Sequence, residues 1–187
     1  MKPIFSVHAG EYLTGSHIEE KFRRVNLWVP AKDTGIDLLV SDRANKQTVS
    51  LQVKFSKDFL VAHMRRQSPR FQQKLQACGW WTVNSAKLRR SQANYWVFVL
   101  QGFDNRSVHY IVIPPRELLR RLRRIHHKQL QIWQVYIWVT QTNRCWETRG
   151  LSKAEKLLIA DDKYSNPYRH FTKYLNVWGP VVRLNEA

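Results

Sequence analysis

A chain of 187 residues is long enough for one domain with a real hydrophobic core and room for an appended subdomain. Its 43% apolar content and 8 tryptophans exclude a disordered chain, and no run of about 18 apolar residues is present, so no transmembrane helix is expected. Thirty-one Lys and Arg against 14 Asp and Glu put +17 on a folded body, which favours a polyanion partner whose condensed counterions are released as basic groups replace them. An anionic membrane is the competing partner, but no long basic amphipathic segment with an aromatic apolar face stands out. The opening "MKPIFSVHAGEY" has no apolar stretch followed by a small-residue cleavage site, so no secretory signal is expected. Cys78 and Cys145 are far apart and match neither a zinc spacing nor a disulfide framework; a reducing, cytoplasmic setting fits them best.

In chain order, residues 8–25 read as a helix. Glu11, Gly15, Ile18, Phe22 and Val25 recur at alternating spacings of four and three, so Glu11 sits on the stripe that packs inward. Pro30 and "KDTG" mark a loop. "IDLLV" (36–40) reads as a short buried strand, "DRANK" as a turn and 47–55 as the second strand of a hairpin. "SPRFQQKLQACG" (68–79) reads as a short helix with Ser68 as N-cap, Pro69 at its first position and Gly79 after it. "WWTVN" reads as a strand and "SAKLRRSQ" as a short helix. Residues 94–100 and 108–113 are strands rich in aromatic and β-branched residues, joined by "QGFDNR". Residues 114–128 form a helix with Leu118, Leu119, Leu122 and Ile125 as its apolar stripe, 131–140 alternate as a strand, and 152–162 are helical. The order implies an α/β or α+β layer fold with a mixed sheet flanked by helices. It is divided either as a core over 1–130 with an extension over 131–187 packed on it, or as one domain over 1–187.

The run "KQTVSLQVKFS" raises a chemical question. Val49, Leu51, Val53 and Phe55 fall on one face of the strand, and Ser50, Gln52 and Lys54 on the other. The ordinary reading of Gln52 and Lys54 is a solvated face. The hairpin, however, brings Asp37 close to both, and Glu11 lies on the inward face of the first helix. Hydrolysis of a phosphodiester needs oxygen ligands for a hard cation such as Mg²⁺, and a positive group near the attacking water and the charged transition state. Asp37 offers a carboxylate, Gln52 or the backbone at Val53 a carbonyl oxygen, and Lys54 the cation. Glu19, Glu20 and Asp33 are reserve carboxylates that read better as surface.

A glutamate in a first helix, then "GID", then "LQVK" resembles the PD-(D/E)XK, or restriction-endonuclease-like, nuclease superfamily, in the branch where Q-x-K replaces D/E-x-K. The stretch "HAGEYLTGSHIEEKF…TGIDLLVSD…VSLQVKFS" is similar to group I intron-associated homing endonucleases of that superfamily and to related bacterial nucleases. The likeness covers about residues 8–56, and "NYWVFVL…VHYIVIPPREL" looks like the downstream sheet. The resemblance implies a restriction-endonuclease-like core and divalent-metal hydrolysis of DNA with Mg²⁺ or Mn²⁺. It also implies a site of Glu11, Asp37, Gln52 and Lys54, the first three as metal ligands. Ile36 rather than Pro precedes Asp37, and Gln52 removes one negative charge from the metal site.

Three basic clusters suit the backbone of double-stranded DNA: Arg65, Arg66, Arg70 and Lys74; Lys87, Arg89 and Arg90; and Arg116, Arg120, Arg121, Arg123, Arg124 and Lys128 on a helix whose one acid is Glu117. His126 and His127 read as phosphate contacts or surface before general bases. Trp133, Tyr136 and Trp138, at strand spacing, read as core before base-stacking residues. The leading expectation is a metal-dependent endodeoxyribonuclease, a homo-oligomer if it cuts both strands. The alternative is a catalytically silent nucleic-acid-binding module of the same fold. A small-molecule α/β enzyme is disfavoured, since the chain has no GxGxxG or GxxxxGK[ST] and such an enzyme has no use for +17.

Overall fold

Apolar alternation in the strands builds two sheets in the computed structural model, which describes residues 8–32, 34–56, 73–103, 106–126 and 130–187. Helix α1 (Ala9–Lys21) leads into β1 (Val25–Trp28), β2 (Leu38–Asp42) and β3 (Thr48–Ser56). Strand β4 (Leu75–Asn84) and the short helix α2 (Ser85–Arg89) precede β5 (Tyr95–Gln101), β6 (Val108–Ile113) and helix α3 (Pro115–His126). Strands β7 (Ile132–Thr140) and β8 (Cys145–Glu147) follow, then helix α4 (Lys153–Ala160), a 3₁₀ turn at Thr172–Tyr174 and helix α5 (Gly179–Glu186). The first sheet runs β1-β2-β3-β5-β6, parallel only between β3 and β5; the second, β4-β7-β8, is antiparallel. This is the mixed-sheet α/β class expected.

Strand β5 divides the interior. Val97 and Val99 join Leu51, Val53 and Ile18 in a core closed by Trp178, Val181 and Leu184 at α5. Trp96, Phe98 and Leu100 point the other way, into a larger core with Trp81, Val83, Trp133 and Val135 of the second sheet and Leu118, Leu122 and Ile125 of α3. The alternation of a doubly buried strand thus feeds two cores at once. Strand β7 pairs with β4 from Leu75↔Thr140 to Asn84↔Ile132, so residues on both sides of position 130 share one sheet.

Several expectations are corrected. Residues 75–79, expected at the end of a helix over 68–79, begin β4 instead. The small residues Ala77, Cys78 and Gly79 hide its alternation, and Gly79 is required because a Cβ there would run into the Trp81 ring. Residues 68–72 of the same expected helix lie outside the described residues. Helix α1 stops at Lys21 rather than 25, because Val25 pairs with Asp42 and opens an edge strand. Trp133 and Trp138 are buried, as expected of core residues, and Tyr136 is half-buried.

Arg121, grouped above with the DNA-contacting residues, turns inward and is only 4% exposed. Its Nη1 donates to the carbonyls of Pro167, Tyr168 and His170 at 3.0, 2.8 and 2.9 Å, and its Nε donates to Glu117 at 2.8 Å. His126 turns towards the buried Glu147, with 3.9 Å between ring nitrogen and carboxylate, rather than outward to a phosphate. Glu117 also accepts from Arg120 at 2.7 and 2.8 Å and from the Tyr174 hydroxyl at 2.8 Å. These donors, Arg120 first, lower its pKa from 4.5 to about 2.

A depressed carboxylate stabilises the fold above its unfolded pKa and loses that contribution as pH falls through the folded value. Stability from Glu117 is therefore expected to be complete above about pH 4.5 and to fade towards pH 2. Thermal unfolding followed across that window should show Glu117→Gln with a flatter pH dependence than the native chain; parallel curves would assign acid sensitivity to other groups.

Candidate active site

Asp37 stands one residue before β2. The β2–β3 register pairs Leu38 with Leu51, and one further step sets Asp37 across from Gln52. Its N–H donates to the Leu51 carbonyl at 2.8 Å, and its carboxylate accepts from the Val53 N–H at 2.7 Å. The carboxylate is therefore bonded to the β3 backbone between Gln52 and Lys54, where a loop residue would otherwise swing free.

Gln52 and Lys54 lie on the face of the first sheet shared with Trp96 and Phe98, by the parallel register Gln52↔Trp96 and Lys54↔Phe98. That face is not open solvent. The second sheet covers part of it: the Trp81 indole donates to the Lys54 carbonyl at 3.1 Å, and the Ser56 hydroxyl accepts from the Trp80 N–H at 2.9 Å. The Lys54 ammonium sits 5.6 Å from the centre of the Trp96 ring, within cation–π range, and Trp96 is fixed by donating to Ser91 at 2.9 Å.

Glu11 comes from the first turn of α1, where its carboxylate accepts from the His8 N–H at 3.4 Å. Helix α1 reaches β3 because Gly10 has no side chain; a Cβ there would lie 2.6 Å from the Phe55 Cβ. All four residues singled out from the sequence, Glu11, Asp37, Gln52 and Lys54, line one open cleft of about 1150 Å³. The same lining includes Lys87 and Arg90 at α2, with Thr82 and Ile132 from the second sheet.

Two observations single out this cleft chemically. Four carboxylates are buried among the described residues: Glu11 at 6%, Asp37 at 8%, Asp42 and Glu147. Asp42 accepts from the Lys46 N–H at 2.7 Å in its turn. Glu147 takes Arg169 at 2.6 Å and the Arg149 N–H at 3.0 Å; desolvation pushes its pKa up to about 7 against the pull of Arg169. Glu147 and Asp42 lie outside the cleft lining, while Glu11 and Asp37 line it. The second observation is the donor set. Two carboxylates and an amide oxygen are hard oxygen donors of the kind Mg²⁺ and Mn²⁺ take. No group of three His, Cys, Asp or Glu side chains that could hold a metal gathers among the described residues; the oxygen donors that line the cleft with Lys54 include Asp37, Glu11 and the neutral Gln52.

The remaining basic residues divide. Lys87 and Arg90 belong to the cleft, and Arg89 is exposed beside them on α2. Arg116, Arg120 and Arg124 are exposed on α3. Arg65, Arg66 and Arg70 lie outside the described residues, as do Asp33, His127 and Lys128. Glu19 and Glu20 are exposed on α1, away from the cleft lining. Trp96 and Trp81, which hold Lys54 from side chain and backbone, were not singled out from the sequence; their only signal is their place in strands whose pairing with β3 is not local. No protein-family model matches the chain, and neither a curated protein nor a solved structure does.

The close approach at Gly10 is testable without reference to activity. Gly10→Ala should lift α1 from β3 and destabilise the fold by about 1–3 kcal/mol, the usual cost of overpacking. Urea denaturation measures this; a variant as stable as the native chain would mean that α1 docks with slack and does not hold Glu11 firmly.

Proposed function

We propose that the protein is a divalent-metal-dependent endonuclease that hydrolyses phosphodiester bonds of double-stranded DNA, of the restriction-endonuclease-like kind that its sequence resembles. One observation carries the reading. Two buried carboxylates, an amide and a lysine line one cleft together with Lys87 and Arg90. Carboxylates on their own would repel a phosphodiester; a cation held by them, with Lys87 and Arg90 in the same lining, would make the cleft attractive to it.

Asp37, Glu11 and the Gln52 amide oxygen would hold Mg²⁺ or Mn²⁺. A cation bound there supplies a Lewis acid for a phosphate oxygen and acidifies water at neutral pH. The chain's own groups do the rest. The Lys54 ammonium orients the attacking water and offsets the charge that grows on pentavalent phosphorus. The Trp96 face limits the arc through which that ammonium moves. Lys87 and Arg90 hold the phosphates flanking the scissile one. Cleavage of both strands by such a site calls for two copies of the chain related by a two-fold axis.

A second reading has a specific residue in its favour. Gln52 stands where most of the superfamily carries an acid, which suits a nucleic-acid-binding module that has lost chemistry.

Incubation with supercoiled plasmid and Mg²⁺ or Mn²⁺ separates the two readings. The native chain should nick or linearise the plasmid. Asp37→Ala should abolish cleavage while leaving DNA binding intact or tighter, since a negative charge near phosphate is lost. Lys54→Ala should slow cleavage by about 10² or more while metal binding is kept. Gln52→Glu should alter metal dependence and leave measurable cleavage, because a carboxylate binds the cation more strongly than an amide. Plasmid left intact by the native chain with either metal would favour the binding module.

A further inference from the structure

The basic wall of the cleft continues beyond its rim. Helix α2 packs on α3, and Leu88 joins Leu118, Leu122 and Ile125 in one apolar cluster. The solvent side of α3 carries Arg116, Arg120, Arg123 and Arg124, all exposed, and its one acid is Glu117. From Arg116 to Arg124 the helix rises about 12 Å, the rise of roughly three or four base pairs at 3.4 Å each.

Two of these arginines are held in place rather than trailing in water. The Arg120 and Arg124 guanidinium carbons lie 5.6 and 5.9 Å from the centre of the Tyr168 ring. Arg120 is also fixed through Nε and Nη2 to Glu117 at 2.7 and 2.8 Å. Tyr168 is held in turn, because the buried Arg121 binds the carbonyls of Pro167, Tyr168 and His170. Arg120 and Arg121 share the Glu117 carboxylate and Arg124 lies against the same ring as Arg120, so these four side chains carry +2 (three minus one).

We propose that Arg120 and Arg124, held against Tyr168, form a second phosphate-binding point that takes the backbone of double-stranded DNA outside the cleft, with Tyr168 as its positioning residue. The proposal rests on the nuclease reading only in taking DNA as the polymer. Preorganised guanidiniums lose little side-chain entropy on gripping a phosphate, so binding keeps more of the contact energy. The duplex is favoured over a single strand because α2 and α3 carry no Phe, Tyr or Trp on which unpaired bases would stack, and two arginines already lie against the Tyr168 ring.

The test is binding of a fluorescent 20-base-pair duplex to the full chain in EDTA, where hydrolysis does not intervene. Tyr168→Leu should weaken binding about three- to tenfold, from the loss of two cation–π contacts at exposed sites, whereas Tyr168→Phe should bind as the native chain does. Arg124→Ala, a surface change that leaves packing alone, should weaken binding and reduce the slope of log affinity against log salt by about 0.9. Unchanged affinity in both Tyr168→Leu and Arg124→Ala, equal losses in Tyr168→Leu and Tyr168→Phe, tighter binding of a single strand or an RNA of the same length, or no binding of the duplex by the native chain would each overturn the proposal. Failure of the nuclease reading shows separately, as plasmid cleavage that Asp37→Ala leaves untouched or as no cleavage at all, and duplex binding is read independently of either.

Discussion

The hydrogen bond from the Val53 N–H to the Asp37 carboxylate is the contact on which the site depends. An aspartate just outside a strand is ordinarily free to cap, turn or face solvent. Here the antiparallel partner pulls it in: the Asp37 N–H is tied to Leu51 and its carboxylate to Val53, so it spans the gap between Gln52 and Lys54. That bond fixes the direction in which the carboxylate points.

Around that contact the fold keeps a cleft from closing. Both faces of the first sheet want to be covered, since β5 is apolar on each. Helices α1 and α5 cover one face, and the second sheet with α3 covers the other. The second sheet meets β3 through polar partners, the Trp81 indole on the Lys54 carbonyl and the Trp80 N–H on Ser56. Thr82 and Ile132 of the second sheet line the cleft. Two glycines set the tolerances: Gly10 lets α1 touch β3, and Gly79 lets the Trp81 ring fold back over its own strand.

What was legible in the sequence was whatever is local. The period of two in residues 47–55, the turn at 42–46 and the helical spacing after residue 8 are short-range patterns; they bring Asp37 beside Gln52 and Lys54 and set Glu11 on the inward face of its helix. What was not legible depends on partners distant in the chain. Strand β4 reads poorly because Ala77, Cys78 and Gly79 are small, and only its pairing with β7 makes it a strand. The five arginines of α3 look alike on a helical wheel, yet Arg121 is consumed by the loop at 167–170 because that loop brings three carbonyls to it. For the same reason Lys87 and Arg90 read as a basic cluster and not as cleft lining: the crossover from β3 through β4 to β5 decides that, and no short spacing encodes it.

The +17 of the chain is thus not one uniform coat. Part of it holds the fold, as Arg121 and Arg169 do, and part faces outward along α2 and α3 beside a cleft whose lining includes Glu11 and Asp37. On the proposed reading a bound cation would reconcile these carboxylates with an anionic polymer, and its binding is directly measurable. Titration with Mn²⁺ followed by electron paramagnetic resonance should show saturable binding to the native chain. That binding should be lost in Asp37→Asn, weakened in Glu11→Gln and unchanged in Glu19→Gln, an exposed acid on the same helix as Glu11. Saturable binding that survives intact in Asp37→Asn, or none in the native chain, would contradict a metal-dependent site in this cleft.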